Sequence, residues 1–352
     1  MDNCVCHGEG STIYPVRHHI FSLQTDPAVT ASSYRSAPSS APVMDIIVIG
    51  SCMTDQICYT SRLPKPGETI HGTKFSMSFG GKGANQCVMA AKLGAKTAMV
   101  AKLGEDTFGR LYLDNLLRCG VDVGHTTTSG AAATGVAQIC VDEAGMNSIV
   151  IVAGANLELS AADVARADGL LGSARVLLCQ LEVPLETTLA ALRAARRHGV
   201  TTVVNAAPAQ PVKDGDLFEL SDIFCVNETE AEIMTELPVR SVAEAETAAA
   251  ALLRRGCRAV IVTLGAQGAV YAAPGQAAMH VPAERAERVV DTTGAGDAFL
   301  GALGYFLACV PALPVREAIV RACRIATDSV ARPGTQDSFP SREQLPAELL
   351  RP

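Results

Sequence analysis

The residues best suited to chemistry lie in the stretch Val-Asp-Thr-Thr-Gly-Ala-Gly-Asp-Ala-Phe at positions 290–299. A glycine-rich turn there runs into an apolar helical segment, with Asp297 at the junction. Unpaired N–H groups at a helix start bind anions, and glycines let a phosphate approach the backbone. A carboxylate beside phosphate makes sense if Asp297 handles a proton while the N–H groups hold the charge. On this stretch alone, a helix cap explains Asp297 equally well.

A second stretch, Phe-Gly-Gly-Lys-Gly-Ala-Asn-Gln at positions 79–86, also precedes a helical pattern. Its glycines open space for a polar ligand against the backbone. Lys82 and Asn85 offer donors and an acceptor that suit sugar hydroxyls. The alternative is a glycine-rich turn with a solvated lysine. The stretch is not a Walker loop, because no Gly-Lys-Ser/Thr follows a four-residue spacer.

Two further stretches complete a family pattern: Asn-Glu-Thr-Glu-Ala-Glu at 227–232 and Thr-Leu-Gly-Ala-Gln-Gly at 263–268. The four stretches resemble, in content and order, the motifs of the ribokinase/PfkB carbohydrate kinases. The resemblance runs from about Asp45 to Leu349 and is strongest with the ribokinase branch, in particular that of animals. It implies ATP-dependent phosphorylation of D-ribose at its 5-hydroxyl. Asp297 would then be the catalytic base, and the N–H groups of Gly294, Ala295 and Gly296 the anion hole.

The resemblance also implies the binding residues. The ribose site would comprise Met53, Thr54, Asp55, Gly81, Lys82, Gly83, Ala84, Asn85 and Glu182. Bacterial ribokinases carry asparagine at the position of Met53, so that sugar contact differs here. ATP would be bound by Asn227, Glu230, Thr263, Leu264, Gly265, Ala266, Gln267, Gly268, Gly296 and Cys323. Asn227 and Glu230 would organise Mg²⁺ indirectly. A K⁺ ion would be bound by Asp291, Thr293, Ser329, Arg332, Gly334 and Ser338, mostly through backbone carbonyls.

Hydrophobic periodicity predicts an α/β fold with a mostly parallel sheet covered on both faces. Met44 to Ile49 is a continuous apolar run typical of a buried parallel strand. Strand-like runs follow at 97–101, 175–180, 201–205, 223–226 and 258–263. Helical patterns lie at 84–93, 107–118, 161–171, 185–198, 228–236, 242–255, 297–309 and 315–331. The resemblance implies a ribokinase-like three-layer arrangement of these elements.

Two segments interrupt this alternation, at about 55–79 and 134–152, where short strand-like pieces are separated by turn signals. They predict a small sheet outside the main core. A small sheet with one apolar face needs a cover, so dimerisation is physically reasonable. The resemblance implies that this sheet is a lid over the sugar and pairs with a second subunit in a homodimer.

Residues 1–43 lack periodic apolar residues and predict a disordered N-terminal extension to a kinase domain at 44–352. The formal charge of −7 argues against a nucleic-acid partner. The longest apolar stretch, Ala298 to Val310, is too short to span a bilayer. The 12 cysteines are scattered in apolar runs, which favours free thiols in a reducing compartment. A cytoplasmic location, with the nucleus as a second one, is therefore expected.

Three alternatives remain at this point. The chain could be a kinase of the same superfamily for another sugar or for a nucleoside. It could be a sugar-binding sensor without catalysis, although the intact Gly-Ala-Gly-Asp stretch argues against that. A nucleotide-binding dehydrogenase is disfavoured because Gly-Ser-Cys-Met-Thr-Asp at 50–55 lacks the Gly-x-Gly-x-x-Gly pattern.

Overall fold

A computed structural model describes residues 44–212 and 214–351. The extension predicted for residues 1–43 lies outside them. The main sheet comprises β1 (Ile46–Ile49), β4 (Thr97–Val100), β9 (Val176–Cys179), β10 (Thr201–Asn205), β11 (Ile223–Asn227), β12 (Val260–Thr263), β13 (Ala269–Ala272) and β14 (Met279–Val281). Its order is β14-β13-β12-β11-β10-β9-β1-β4. Neighbouring strands among β4, β1, β9, β10, β11 and β12 pair in parallel, and β13 and β14 add an antiparallel edge.

Helices cover both faces of this sheet. They are α1 (Lys82–Lys92), α2 (Thr107–Arg118), α3 (Ala161–Arg166), α4 (Asp168–Leu171), α5 (Leu185–His198), α6 (Asp216–Glu219), α7 (Glu228–Thr235), α8 (Val242–Leu253), α9 (Ala295–Cys309) and α10 (Val315–Ser329). Alternate residues of β1 enter two different cores, because side chains of a strand alternate between its faces. Ile46 and Val48 pack with residues of α1, α9 and α10, whereas Ile47 and Ile49 pack with residues of α5 and α8.

A second, separate sheet forms from the two segments that interrupt the alternation. It consists of β2 (Met53–Thr60), β3 (Gly72–Gly80), β7 (Gly135–Val141) and β8 (Asn147–Val152), in the order β3-β2-β7-β8. We call this sheet the lid. A two-stranded sheet of β5 (Lys102–Gly104) and β6 (Thr127–Ser129) lies beside the short 3₁₀ helix Gly154–Glu158. The small sheet that the turn signals predict is therefore present.

The chain segment after β1 explains how the lid meets the main sheet. β2 follows β1 after only three residues, and β3 runs directly into α1 through Gly81. Gly81 has φ 89°, and a Cβ atom there would lie 2.8 Å from Met53 N. Only glycine adopts this left-handed geometry at so close an approach without strain. The β2–β3 segment of the lid therefore enters and leaves the body at one point, beside the carboxyl end of β1.

Candidate active site

A cleft of about 180 Å³ lies where the parallel strands end and α9 begins. Open α/β sheets place ligands at the carboxyl ends of their strands. Seven residues that the sequence singles out line it: Lys82, Asn227, Glu230, Thr263, Gly294, Gly296 and Asp297. Asn205, Ala207, Cys225, Val226 and Leu300 complete the lining. The cleft thus brings together residues from all four sequence stretches and from the ends of β10, β11 and β12.

Asp297 lies in the first turn of α9, with 7% of its surface exposed. Its Oδ2 accepts a hydrogen bond from Asn85 Nδ2 at 2.9 Å, and its Oδ1 accepts one from Gln86 Nε2 at 3.0 Å. A helix-capping aspartate would instead accept backbone N–H groups of its own helix. No side-chain cap is present at this helix start, where the N-cap is Gly294. The capping alternative for Asp297 therefore fails.

The start of α9 offers backbone N–H groups to the cleft. Gly294 adopts a left-handed conformation, φ 79°, and a Cβ atom there would lie 2.5 Å from Thr335 Cγ2. At Gly296 a Cβ atom would meet nothing within 4 Å. Ala295 N donates to Thr292 O at 3.2 Å, so Gly294 and Gly296 are the freer donors of the three assigned to an anion hole. The open space at Gly296 is a cradle that a phosphate could enter.

Glu182 ties the loop after β9 to the start of α1. Its Oε2 accepts hydrogen bonds from the Ser51 hydroxyl and, at 2.8 Å, from Lys82 N. Burial raises the pKa of Glu182, against the opposing effect of the Lys82 charge. Burial would lower the pKa of Lys82, but the charges of Asp297, Glu182 and Glu230 outweigh it and the pKa is raised. Lys82 is therefore a cation held among three carboxylates.

Asp55 lies on β2, against the backbone of β3. A Cβ atom on Gly80 would lie 2.4 Å from Asp55 Oδ2. Burial, and secondly the charge of Glu182, raise the pKa of Asp55 to about 7. Asp55 and Glu182 therefore face a shared polar region next to Lys82. At neutral pH such a carboxyl can donate or accept a hydrogen bond, which suits sugar hydroxyls.

The other residues predicted to bind the sugar differ in which side-chain or backbone groups could reach it. Strand alternation puts Met53 on the same face of β2 as Asp55 and turns Thr54 to the opposite face. Thr54 is buried, and its hydroxyl has no partner among the described residues. Gly83 and Ala84 lie against the backbone of Ser51, to whose carbonyl Ala84 N donates at 2.9 Å. Gly83 and Ala84 therefore reach a polar ligand with backbone groups at most.

Asn227 and Glu230 form a capping box at the start of α7. Glu230 N donates to Asn227 Oδ1 and Asn227 N donates to Glu230 Oε2, each at 2.8 Å. Both residues also line the cleft. Burial raises the pKa of Glu230, against the hydrogen bond from Asn227 N and the charge of Lys82. Asn227 and Glu230 therefore start the helix that the pattern at 228–236 predicts, and they also lie in the cleft.

The stretch at 263–268 forms a turn between β12 and β13. The N–H group of Leu264 donates to Gly268 O at 2.7 Å, and the Leu264 side chain is buried in the core. Neither group is therefore free to bind ATP. Gly265 and Gly268 have positive φ, and a Cβ atom on Gly268 would lie 2.0 Å from Val281 O. Gly265, Ala266 and Gln267 are exposed. Cys323, on α10, is buried in the core cluster that also holds Cys225 of the cleft.

The six residues assigned to K⁺ lie on two segments that hydrogen bonds join. Asp291 Oδ1 accepts from Thr293 N and its Oδ2 from Gly334 N, both at 2.9 Å. Val290 N also donates to Val330 O at 2.8 Å. Among residues 44–351, apart from 213, Asp291 makes no ion pair with a basic side chain. Its charge is therefore available to a bound cation.

Arg332 and Ser338 modify this arrangement. Arg332 Nε donates to Ser338 O at 2.9 Å, and the Arg332 guanidinium also pairs with Asp328. Ser329 and Ser338 direct their hydroxyls to the carbonyls of Ala326 and Thr335, each at 2.8 Å. A cation bound to Ser338 O would share that oxygen with the guanidinium.

Four buried amides beside Asp297 were not predicted from the sequence: Gln86, Gln180, Asn205 and Gln336. Gln86 contacts Asp297 and is bonded to Gln180 and Asn205, whereas Gln336 reaches Asp297 only through Asn85. Gln86 was visible as the last residue of the stretch at 79–86, but nothing in its spacing signalled its partner. In the described part of the chain, no group of three or more His, Cys, Asp or Glu could hold a metal ion. Nor is any described helix both long and apolar enough to cross a membrane.

Comparison with known proteins assigns these features to a family. The family model for the pfkB family carbohydrate kinases matches residues 44–342. The chain belongs to this family. Mouse ribokinase is 49% identical over 306 residues, covering 87% of this chain and 94% of that protein. A deoxyribokinase of Salmonella typhi is 41% identical over 302 residues, covering 86% and 97%.

Solved structures of the pfkB family agree with the fold. Arabidopsis thaliana ribokinase, complexed with ribose and ATP, superposes with a TM-score of 0.80 at 30% identity, covering 88% of this chain and 99% of that one. Thermotoga maritima ribokinase superposes with a TM-score of 0.77 at 34% identity, covering 86% and 97%. The ribokinase-like α/β fold, with its mostly parallel sheet and separate small sheet, is therefore confirmed, and a dehydrogenase is excluded.

Proposed function

We propose that this chain transfers the γ-phosphoryl group of ATP to the 5-hydroxyl of D-ribose, giving ribose 5-phosphate and ADP. The observation that carries the proposal is the position of Asp297 beside the open N–H groups of α9. That carboxylate lines the same cleft as Lys82 and the ends of β11 and β12, and its charge interacts with those of Lys82 and Glu182. The relatives named ribokinase, and the solved relative bound to ribose and ATP, support the same substrates.

In this proposal Asp297 accepts the proton of the 5-hydroxyl as the oxygen attacks the γ-phosphorus. The new O–P bond forms while the bond from that phosphorus to the β-phosphate oxygen breaks, and ADP leaves with its electron pair. An aspartate is a weak base, which is tolerable when the transition state is loose and the proton leaves late. The N–H groups of Gly294 and Gly296 would stabilise the charge on the transferred group. Lys82 would add a positive charge beside it.

The cofactors fit the residues that are present. Mg²⁺ keeps several waters and substrate phosphates as ligands and needs few protein groups. One carboxylate and one amide, Glu230 and Asn227, line the cleft and suit such an ion. The charge of Asp291, which lacks an ion-pair partner among the described residues, suits K⁺. ATP would bind between Asn227, Thr263 and the turn at 265–268, with Gly296 against its phosphates.

The lid is proposed as the interface of a homodimer. Its edge strand β8 is exposed along its whole length, and Ile149, Val150, Ile151 and Val152 are each at least half exposed. Phe75, on β3, is 62% exposed. Monomeric proteins rarely leave such a contiguous apolar surface on an edge strand. The lid of a second copy would cover it by the same contacts in both directions.

All described cysteines are free, which supports the proposed location in the reducing cytoplasm or nucleus. Imaging of a fluorescent fusion tests this location. A signal confined to a secretory compartment would contradict it.

2-Deoxyribose is the second candidate acceptor. A relative named deoxyribokinase is 41% identical. Met53, an apolar residue on the Asp55 face of β2, cannot form a strong hydrogen bond with a sugar hydroxyl. A sugar that lacks one hydroxyl would therefore lose little at that position.

An ADP-release assay over pentoses, 2-deoxyribose, hexoses and nucleosides tests the proposal. We expect the highest kcat/KM for D-ribose and the phosphate on its 5-oxygen, which ³¹P and ¹H NMR of the product identify. A preference for 2-deoxyribose would select the second candidate. Ribose binding without ADP release, in protein supplied with Mg²⁺ and K⁺, would point to the sensor instead.

A further inference from the structure

The carboxylate of Asp297 is held from behind by two amide side chains, one on each oxygen. Gln86 Nε2 donates to Oδ1 at 3.0 Å and Asn85 Nδ2 donates to Oδ2 at 2.9 Å. All three side chains are buried, with 1% of Gln86, 4% of Asn85 and 7% of Asp297 exposed. Hydrogen bonds to a charged group are stronger than those between neutral groups, and burial keeps water from replacing them.

The amide of Gln86 is fixed in the orientation that donates. Its Oε1 accepts from Gln180 Nε2 at 2.7 Å, and its Nε2 also donates to Asn205 Oδ1 at 3.1 Å. A carboxylate has no proton to give, so a rotated amide would set two acceptor oxygens against each other. The bonds to Gln180 and Asn205 would be disturbed at the same time. Gln180, directly after β9, and Asn205, at the end of β10, therefore determine which atom of Gln86 faces Asp297.

The amide of Asn85 is fixed in the same way from the other side. Its Oδ1 accepts from Gln336 Nε2 at 3.0 Å, which leaves its Nδ2 for Asp297. Gln336 is itself held by Asn115 Nδ2, 2.8 Å from its Oε1, and by the Tyr112 hydroxyl, 3.1 Å from its Nε2. The two arms thus come from different parts of the chain and meet at one carboxylate.

We propose that Gln86 is a positioning residue for Asp297: its amide, locked by Gln180 and Asn205, sets the plane of the carboxylate, with Asn85 as the second arm. The proposal rests on the proposed function, in which Asp297 accepts the proton of the sugar hydroxyl. Because each oxygen has one lone-pair direction occupied by an amide, the remaining lone pairs face the cleft. A proton acceptor gains when its lone pair already points along the path of the proton.

The charged groups around Asp297 do not explain this role. Lys82 on α1, Glu182 after β9 and Glu230 on α7 each interact electrostatically with Asp297. The first carries a charge opposite to that of a carboxylate, and the other two carry the same charge. None of the three contacts Gln86 by a hydrogen bond among the described residues. A substitution at position 86 therefore leaves these charges in place.

Gln86→Met and Gln86→Glu test the proposal through the pH dependence of kcat. Gln86→Met keeps the length of the side chain and removes the donor. We expect kcat to fall about 10-fold or more and the acidic limb of the profile to move up by about one pH unit, since the ionised carboxylate has lost a hydrogen bond. The KM for ribose should change less than about 3-fold, because Gln86 lies behind Asp297.

Gln86→Glu keeps the shape and places a second carboxyl group against Asp297. Two carboxylates in contact cannot both ionise, so they share a proton. The acidic limb should therefore move further than in Gln86→Met. A limb at the wild-type position in both variants, or kcat within about 2-fold of wild type, would overturn the proposal.

Asn156→Ala is the matched control. Asn156 is another buried amide, with 2.9 and 2.8 Å hydrogen bonds to Cys52 N and Cys52 O, and it does not contact Asp297. It should lower the melting temperature as much as Gln86→Met and leave the acidic limb in place. Gln86 variants that lose only stability, like this control, would have a merely structural role and contradict the proposal. A wild-type protein that phosphorylates no sugar would refute the proposed function instead.

Discussion

A carboxylate at position 297 can take a proton, whereas an amide cannot. The neighbouring side chains also suit only the carboxylate, because they donate hydrogen bonds to both of its oxygens. Asn85 and Gln86 both present N–H groups to Asp297. Asp297→Asn brings a third N–H donor into this arrangement and removes the proton acceptor. We expect kcat to fall about 10²–10⁴-fold, as for loss of a general base. Kinetics at saturating ribose and ATP measure it.

Binding measurements provide the control for this variant. Calorimetric titration should still detect ATP and ribose, because neither needs the proton transfer to bind. A folded Asp297→Asn protein with a kcat near that of wild type would remove the assignment of the catalytic base.

The raised pKa of Asp55 makes the folded protein less stable as the pH rises. Its pKa is about 7 in the folded protein, against about 4 in an unfolded chain. Between these values the folded state binds a proton that the unfolded state does not, so folding is penalised increasingly as pH rises from about 4 to about 7. Asp55→Asn removes the penalty. The melting temperature of Asp55→Asn, relative to wild type, should therefore be higher at pH 8 than at pH 5.

The exposed Asp337, replaced by Asn, is the comparison for this titration. Its effect on the melting temperature should be small and equal at both pH values. A constant difference between Asp55→Asn and wild type from pH 5 to pH 8 would mean that Asp55 is not a carboxyl with a raised pKa.

The sequence predicts those cleft residues that belong to a short local motif. Asp297, Lys82 and Asn227 meet at the cleft as the four stretches indicate. The amides could not be predicted, because Gln86 finds its partners 94, 119 and 211 positions away. Hydrogen-bonding partners at such separations follow from the packed fold and leave no local pattern.

At the scale of elements, the start of α9 contains two glycines with different reasons for being glycine. Gly294 is required by its left-handed conformation and by Thr335, whereas Gly296 faces open space. Alanine at 296 should therefore leave the melting temperature unchanged or slightly raised, since alanine favours helix. It should lower kcat about 10-fold or more, because its methyl group occupies the cradle proposed for phosphate.

Gly294→Ala is the contrasting variant. It should lower the melting temperature, because alanine is strained at φ 79° and would contact Thr335. If Gly296→Ala keeps full activity, the cradle does not hold the transferred phosphate.

The two segments that hydrogen-bond through Asp291 give a second element-scale prediction. A K⁺ ion beside Asp291 would hold the turn at 291–296, and with it the N–H groups of α9, in place before charge develops. Potassium should therefore raise kcat or the affinity for ATP, with sodium less effective. Titration of potassium chloride against choline chloride at constant ionic strength separates this from screening. Equal rates in both salts would contradict the K⁺ site.

The sequence predicts helices and strands best where the apolar pattern runs over many residues and turn or capping residues mark its ends. α2 and α5 have the predicted bounds, 107–118 and 185–198. The pattern at 161–171 divides into α3 and α4 at Ala167. The antiparallel strands β13 and β14 were not predicted, because runs of four and three residues between turns show too little alternation. Their pairing with β12 is set by the hairpin geometry and the position of that strand in the sheet.

At the scale of the whole molecule, the lid has one property that the two cores cannot explain. The main sheet is covered by helices on both faces, whereas the lid projects with β8 exposed from Asn147 to Val152. Strand alternation divides this exposed surface between two faces, with Ile149 on one and Val150 on the other. A carboxylate buried in an apolar interface is strongly disfavoured. If two copies pair through the lid, an aspartate on the covered face must separate them.

Ile149→Asp and Val150→Asp, made separately, therefore test the dimer and identify the covered face. Light scattering coupled to size-exclusion chromatography should give a dimer for wild type and a monomer for at least one variant. Leu117→Asp, on an α2 residue that is 56% exposed and lies outside the lid, should remain a dimer. Because the resemblance places the lid over the sugar, the monomeric variant should also show a raised KM for ribose. A monomeric wild type, or a dimer in both lid variants, would show that the apolar surface of β8 does not pair two copies of this chain.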